Sequence, residues 1–300
     1  MSLQQTTRLR VALGDYAHTL PLKQHQIASS SVAFDFDGVQ PVYKVFGAMV
    51  REQAFDVSEM AIVTYLQAKS HGKPLVMLPA VMMGRFQHHC MMYNAEQVGR
   101  ITPADLPGRR VGVRSFAQTT GVWLRGHLQN DYGVDIASVH WVSFEDAHVA
   151  EFRDPAGVER AGPQQILGKM VLSGALAAGI YGAELPDDKR LQSVIPNPQE
   201  AARQWHARHG VVPINHMVVV REELARSQPD TVREVYRMLL AGKGAAGLPK
   251  PGALDLLPFG FQACRPALQM IIGYCVQQRL IPRRFEVEEL FDDTTRALGL

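Results

Sequence analysis

Apolar positions fall in short runs separated by longer stretches of mixed polarity. The runs predict strands over residues 9–13 and 32–36, a short strand ending at 57, then strands over 75–82 and 89–93. Between them the spacing predicts helices near 42–53 and across 59–70. The run PLVMLPAVMM (74–83) is continuous and closed by Gly84, the pattern of a buried strand. The connector ITPADLPGRR (101–110) reads as a loop from its prolines and glycine. Beyond it a second series begins: a strand at 111–113, a helix near 120–132, a strand at 140–142, a helix near 164–172, a strand-like 177–181 and a helix across 199–209. PINHMVVV (213–220), with three consecutive valines, suits a buried strand, and the remainder from Arg221 is mostly helical, with loops at GLPKPG and LPFG.

Alternating strands and helices predict an α/β protein. The composition boundary at 94–110 and the helical tail after the second series suggest two α/β domains joined by two hinge crossings. Residues 1–94 and 217–300 would form a discontinuous domain I, and 95–216 an inserted domain II. The crossings would then fall near 94–110 and 212–218 and frame a cleft, where ligand pockets are favoured.

Composition narrows the function classes. Of 300 residues, 46% are hydrophobic and 20% charged, enough for well-buried cores. The formal charge is +2 and the basic residues are scattered, so no nucleic-acid partner is expected. No apolar stretch approaches the roughly 20 residues of a membrane span. No hydrophobic region of signal-peptide length precedes residues 9–13, and the three cysteines fit reduced thiols, so the expected location is cytoplasmic. Nucleophile elbow, P-loop, dinucleotide fingerprint and CxxC are all absent, which argues for no cofactor. His206 and His209 share a helix face without a carboxylate or cysteine at ligand spacing, so no metal is expected either.

Candidate ligand groups lie where strands end, since open α/β sheets bind beyond the carboxyl ends of their strands. In GDYAHT (14–19), Asp15, Tyr16 and His18 would project into the crevice, or Asp15 would bond its own backbone. In FDVSEM (55–60), Ser58 stands where a helix N-cap is expected with Glu59 in the first turn, which either caps the helix or receives a ligand carboxylate. Thr119 or Thr120 makes the same offer for the helix containing Trp123 and Arg125. In GRFQHHC (84–90), Arg85 has the planar fork that matches a carboxylate, with a surface ion pair as the alternative. His88 and His89 must point to opposite faces if that segment is extended, so one of them can reach the cleft. His216, inside PINHMVVV, should lie near the cleft floor, as a ligand group or as a hydrogen-bonded core residue.

The ordered set GDY (14–16), FDVSEM (55–60), YL (65–66), RFxxH (85–89), DLPGRRVGV (105–113), TTGVWxRGxLQxxYGV (119–134), HWV (140–142), WHxRxGVxPINH (205–216) and LF (290–291) resembles the 4,5-dihydroxyphthalate decarboxylase family. The resemblance implies the two-lobed type 2 periplasmic-binding-protein-like fold and loss of one carboxyl group from a dihydroxylated benzene-1,2-dicarboxylate, giving protocatechuate and carbon dioxide without a redox cofactor. The chain departs from the family at Ala17-His18, where an acidic-basic pair is usual, and at LAAGIYG (176–182), where an aspartate is common. For such a reaction His216 is the first choice of proton donor, with His18 and His89 behind it. Arg85 and the helix starts at Ser58 and Thr119–Thr120 would hold the carboxylates, Asp15 or Glu59 would accept from ring hydroxyls, and Tyr16, Phe86 and Trp123 would wall the ring. The expected partner is a small aromatic carboxylate, and the chain could form a homo-oligomer. The rival reading is a solute-binding protein that captures such a carboxylate for a transporter or sensor, since fold does not decide function.

Overall fold

The computed structural model describes residues 6–182 and 185–299; residues 1–5, part of the stretch read above for a leader, lie outside the described residues. Two sheets organise the chain. The first takes β1 (Thr7–Ala12), β2 (Val32–Phe36), β3 (Val57–Ala61), β4 (Leu75–Gly84) and β11 (Ile214–Arg221) in the order β2-β1-β3-β11-β4. The second takes β5 (Met91–Asn94), β6 (Arg110–Val113), β7 (His140–Ser143), β8 (Glu159–Arg160), β9 (Ala178–Ile180) and β10 (Leu191–Ser193) in the order β10-β5-β9-β6-β7-β8. β1 runs parallel to β2 and β3, whereas β11 runs antiparallel to β3 and β4.

The apolar run at 74–83 owes its continuity to burial: every residue of β4 from Leu75 to Met82 is shielded. Pro79 is tolerated because it falls in the irregularity between the pairs Leu78–Val218 and Val81–Met217, where the ladder asks for no donor from it. Gly84, which ends the strand, lies so close to Leu256 that a Cβ there would stand 2.1 Å from the carbonyl oxygen.

Two boundaries differ from the expectation. β5 pairs with β9 and β10, so residues 91–94 belong to the second sheet and the first crossing is 85–90, the arginine- and histidine-bearing segment itself. The proline- and glycine-rich connector at 101–110 is a loop inside the second lobe, anchored by buried Ile101 and Leu106; turn chemistry marks loops but says nothing of which sheet a loop serves. The return crossing leaves β10, passes through the helix Pro198–His209 and enters β11. The second difference is at FDVSEM: β3 continues to Ala61 and the helix starts at Ile62. Flanked by β1 and β11, all five residues of β3 are buried, and ladder pairing on both edges overrides the capping pattern.

Candidate active site

Glu59 is the centre of the site, and the strand register explains why. Placed in β3 opposite Val218 of β11, it is fully buried, and its carboxylate accepts three hydrogen bonds: from Gly14 N–H (2.9 Å), Tyr16 O–H (2.8 Å) and His216 Nδ1–H (2.6 Å). A buried carboxylate is tolerated only when paired and satisfied in this way. Burial, reinforced by Glu59, pushes the Tyr16 phenol far above its ordinary range, so it stays a donor. Gly14 is required by close approach, because a Cβ there would stand 2.4 Å from Tyr16 Cζ.

His216 sits where the β11–β4 register slips on both sides of it, an irregularity of the kind that re-aims a side chain. With Nδ1 tied to Glu59, its Nε2 has no partner among the described residues, and the ring lies edge-on to Phe46 at 5.2 Å. His216 lines a cavity of about 390 Å³ between the two sheets. Asp15, Tyr16, Phe46, Ala61, Thr64, Met83, Arg85 and Asn215 also line it from the first lobe and the crossings; Arg114, Ser115, Gln118, Thr119, Thr120, Glu145, His148 and Gly182 line it from the second.

Arg85 pairs with no carboxylate among the described residues. It donates to Thr120 Oγ1 (3.1 Å) and to Cys90 Sγ (3.4 Å), and its buried Nε has no partner. Burial pushes the Cys90 thiol up, so it stays a thiol beside that guanidinium. Thr119 and Thr120 occupy the first turn of the helix Thr119–Asn130, after Gln118; they are first-turn residues and not caps. Thr120 Oγ1 also receives Asn215 Nδ2 at 3.4 Å, and Thr119 Oγ1 accepts from Val63 N–H at 3.4 Å. A second helix start does face the cavity, at Ala61–Thr64 and not at Ser58. The amide-rich ends of two helices therefore converge on one pocket, an arrangement that receives anions.

The structure brings Asp15, Tyr16, Arg85, Thr119, Thr120 and His216 to this cavity, with Glu59 behind His216 and Tyr16. Asp15 is exposed and paired with Lys23 Nζ at 2.5 Å. Five candidates lie elsewhere. Ser58 is buried in β3 and donates to the Glu59 carbonyl at 2.8 Å. Trp123 is fully buried on the core side of its helix, donating to Ile214 O at 2.9 Å, because the helix turns that face inward. Phe86 packs edge-on to Trp205 and His206, on the far side of the crossing from the cavity. His18 stacks flat on Tyr16 (5.2 Å between centroids, 10° between planes), and burial holds its pKa down. His89 lies half-buried with Nε2 3.6 Å from Cys90 Sγ, its pKa lowered by burial and then by Arg85. His88, its neighbour, is buried in a stack with His127 (4.7 Å), and neither histidine of the pair lines the cavity.

Sequence reasoning missed Arg114, His148, Gln118 and Asn215. Arg114 and His148 follow the ends of β6 and β7, so the strand-end rule applied to the second lobe would have found them.

No family model matches the chain. Among curated proteins, a 4,5-dihydroxyphthalate decarboxylase from Comamonas testosteroni is 27% identical over 241 residues, covering 74% of this chain and 70% of that protein. One from Pseudomonas putida is 28% identical over 217 residues, covering 66% and 81%. Among solved structures, the periplasmic aliphatic sulphonate binding protein SsuA from Escherichia coli superposes with a TM-score of 0.55 at 13% identity, covering 96% of this chain and 98% of that one. The desulfurization enzyme DSZB does so with 0.52 at 12%, covering 96% and 97%. At such identities the structural likeness establishes the fold. In sequence the chain is similar to the 4,5-dihydroxyphthalate decarboxylases, and its fold is the two-lobed α/β fold of the periplasmic binding proteins.

Proposed function

We propose that the protein is a carboxy-lyase that removes one carboxylate from an aromatic dicarboxylate, with 4,5-dihydroxyphthalate as substrate and protocatechuate and carbon dioxide as products. The observation that carries this reading is the His216–Glu59 pair at 2.6 Å in the wall of a cavity that also presents Arg85 and two helix starts. Loss of carbon dioxide from an aromatic ring is slow because the aryl carbanion has no delocalised home for its electron pair. Protonating the ring carbon first avoids that carbanion. The hydroxyl para to the departing carboxylate feeds electrons into the ring while an acid delivers a proton to the carbon bearing the carboxylate. The C–C bond then breaks, and its electron pair restores aromaticity.

His216 is the acid: Glu59 is the charge partner an imidazolium needs, and it holds the ring by Nδ1 so that Nε2 is left for the substrate. Positioned acid–base groups of this kind contribute typically about 10²–10⁴ in rate. Arg85 and the first turn of the helix Thr119–Asn130 hold the carboxylates, and Phe46 and Tyr43 flank the ring. The cavity volume lies within the roughly 300–1,000 Å³ of small-molecule sites.

Incubation with 4,5-dihydroxyphthalate should release carbon dioxide, and His216→Asn should abolish turnover while leaving ligand binding within about threefold, the acid being lost and the carboxylate groups kept. Wild-type turnover in that variant removes His216 from the mechanism. Binding by the unmutated protein without carbon dioxide release favours the second reading, a solute-binding protein, whose support is the fold of the sulphonate binder.

A further inference from the structure

His148 follows β7 and lines the same cavity as His216, from the opposite lobe. Phe46 meets both imidazoles edge-on, at 5.6 Å from His148 and 5.2 Å from His216. His148 Nδ1 is 3.2 Å from Thr64 Oγ1, in the first turn of the helix Ile62–Ser70, and its Nε2 has no partner among the described residues. The two rings have opposite electrostatic settings. His216 has a buried carboxylate, whereas His148 has cations: Arg114, and Arg51, whose Nη1 donates to the His148 carbonyl at 3.1 Å. The acids nearest in sequence, Glu145 and Asp146, are paired with Arg114 (3.1 Å) and Arg160 (3.1 Å).

We propose that His148 is a further catalytic residue, the base that takes the ring-hydroxyl proton as His216 delivers a proton to the ring carbon. This rests on the decarboxylase reading of the site. The Nδ1–H donates to Thr64 Oγ1, which leaves the Nε2 lone pair facing the substrate. The hydroxyl O–H bond breaks toward Nε2 and its electron pair forms a C=O bond, while a ring π pair takes the proton of His216. When the C–CO₂ bond breaks, its pair re-forms the aromatic ring, the C=O pair returns to oxygen, and the oxygen recovers its proton from His148. One proton is consumed, at carbon, and His216 regains it from solvent. The base can be weak, because charge delocalised onto the hydroxyl oxygen makes that proton acidic as the ring is protonated, but it must be unprotonated. Burial, then Arg114, Arg51 and His216, push the His148 pKa down to about 4, which secures that state. One imidazole held by a buried carboxylate and the other held among cations, in one pocket, are the settings of an acid and a base.

The test compares kcat and KM of the wild type, His148→Gln and Thr64→Val on 4,5-dihydroxyphthalate from pH 6 to 8. H148Q should lose about 10²–10⁴ in kcat at pH 7 with KM within about threefold. Its kcat relative to wild type should climb about tenfold per pH unit as the ring hydroxyl ionises unaided. T64V, which frees the Nδ1 proton from its acceptor, should lose about tenfold in kcat with the wild-type pH profile. An H148Q kcat within threefold of wild type, or a loss whose ratio is flat with pH, overturns the proposal. If H148Q fails to fold, an unchanged kcat in T64V overturns it alone. A wild type that releases no carbon dioxide refutes the decarboxylase reading, and this proposal with it.

Discussion

Glu59 offers two carboxylate oxygens to three donors, so its replacements separate structural from catalytic cost. In Glu59→Gln, the amide oxygen can keep Gly14 N–H while the NH₂ turns to Tyr16 Oη and His216 Nδ1. Both can accept, provided His216 is neutral with its proton moved to Nε2. The fold then loses about 1 kcal/mol, the net worth of a rearranged hydrogen bond. The imidazolium loses its charge partner, and turnover should fall about 10²–10⁴, or about 3–5 kcal/mol of barrier. In Glu59→Leu, the buried Gly14 N–H is left unpaired, at about 1–3 kcal/mol, while the O–H of Tyr16, which lines the cavity, can turn to water, so stability should drop by about 1–3 kcal/mol. Urea melts followed by the fluorescence of the buried Trp123 and Trp205, with carbon dioxide release on the same samples, measure both quantities. Turnover of E59Q within threefold of wild type, or an E59L midpoint equal to wild type, refutes the reasoning.

Three further outcomes follow from the same coordinates. His88 and His127 stack at 4.7 Å in the core beside Asp131 and Trp205, and burial lowers both pKa values, that of His88 to about 3. Because the unfolded chain titrates near 6.5 and binds protons that the fold refuses, stability is full above that pH and is lost as pH falls toward about 3. The urea midpoint at pH 5 should therefore reflect about 2 kcal/mol less stability than at pH 7 from His88 alone, and an equal or higher midpoint contradicts this. Gly84→Ala would drive a Cβ against the Leu256 carbonyl, a backbone atom that cannot swing away, and should cost about 1–3 kcal/mol; a melting temperature within one degree of wild type, roughly the resolution of a scan, denies it. Arg85→Lys keeps the charge but loses the fork, and should raise KM about tenfold or more with a smaller change in kcat; steady-state kinetics with an unchanged KM would remove Arg85 from carboxylate binding.

Strand-forming runs such as PLVMLPAVMM and PINHMVVV were legible because burial on both faces demands uninterrupted apolar side chains, and that demand is local. The place of Arg85 and His216 in the cavity wall was legible because each is a polar group set against such a run. FDVSEM was misread because Ser-Glu before an apolar stretch satisfies the helix-start pattern equally well, and only the neighbours β1 and β11 favour extension. Trp123 and Phe86 were placed on the wrong side of their elements, since an aromatic residue suits a pocket wall and a core alike.

The linear order of residues therefore determined the α/β class, the two-lobed plan and the motifs shared with the decarboxylases, all of which depend on side-chain period and on short contiguous patterns. Only the tertiary structure decided that residues 157 positions apart, Glu59 and His216, become one hydrogen-bonded pair, and that His148 of the far lobe lines the same cavity and meets the same Phe46 ring. The register of β3 against β11 and the closure of one lobe on the other are set by long-range packing, and no local pattern along the chain encodes which partner a buried carboxylate will meet.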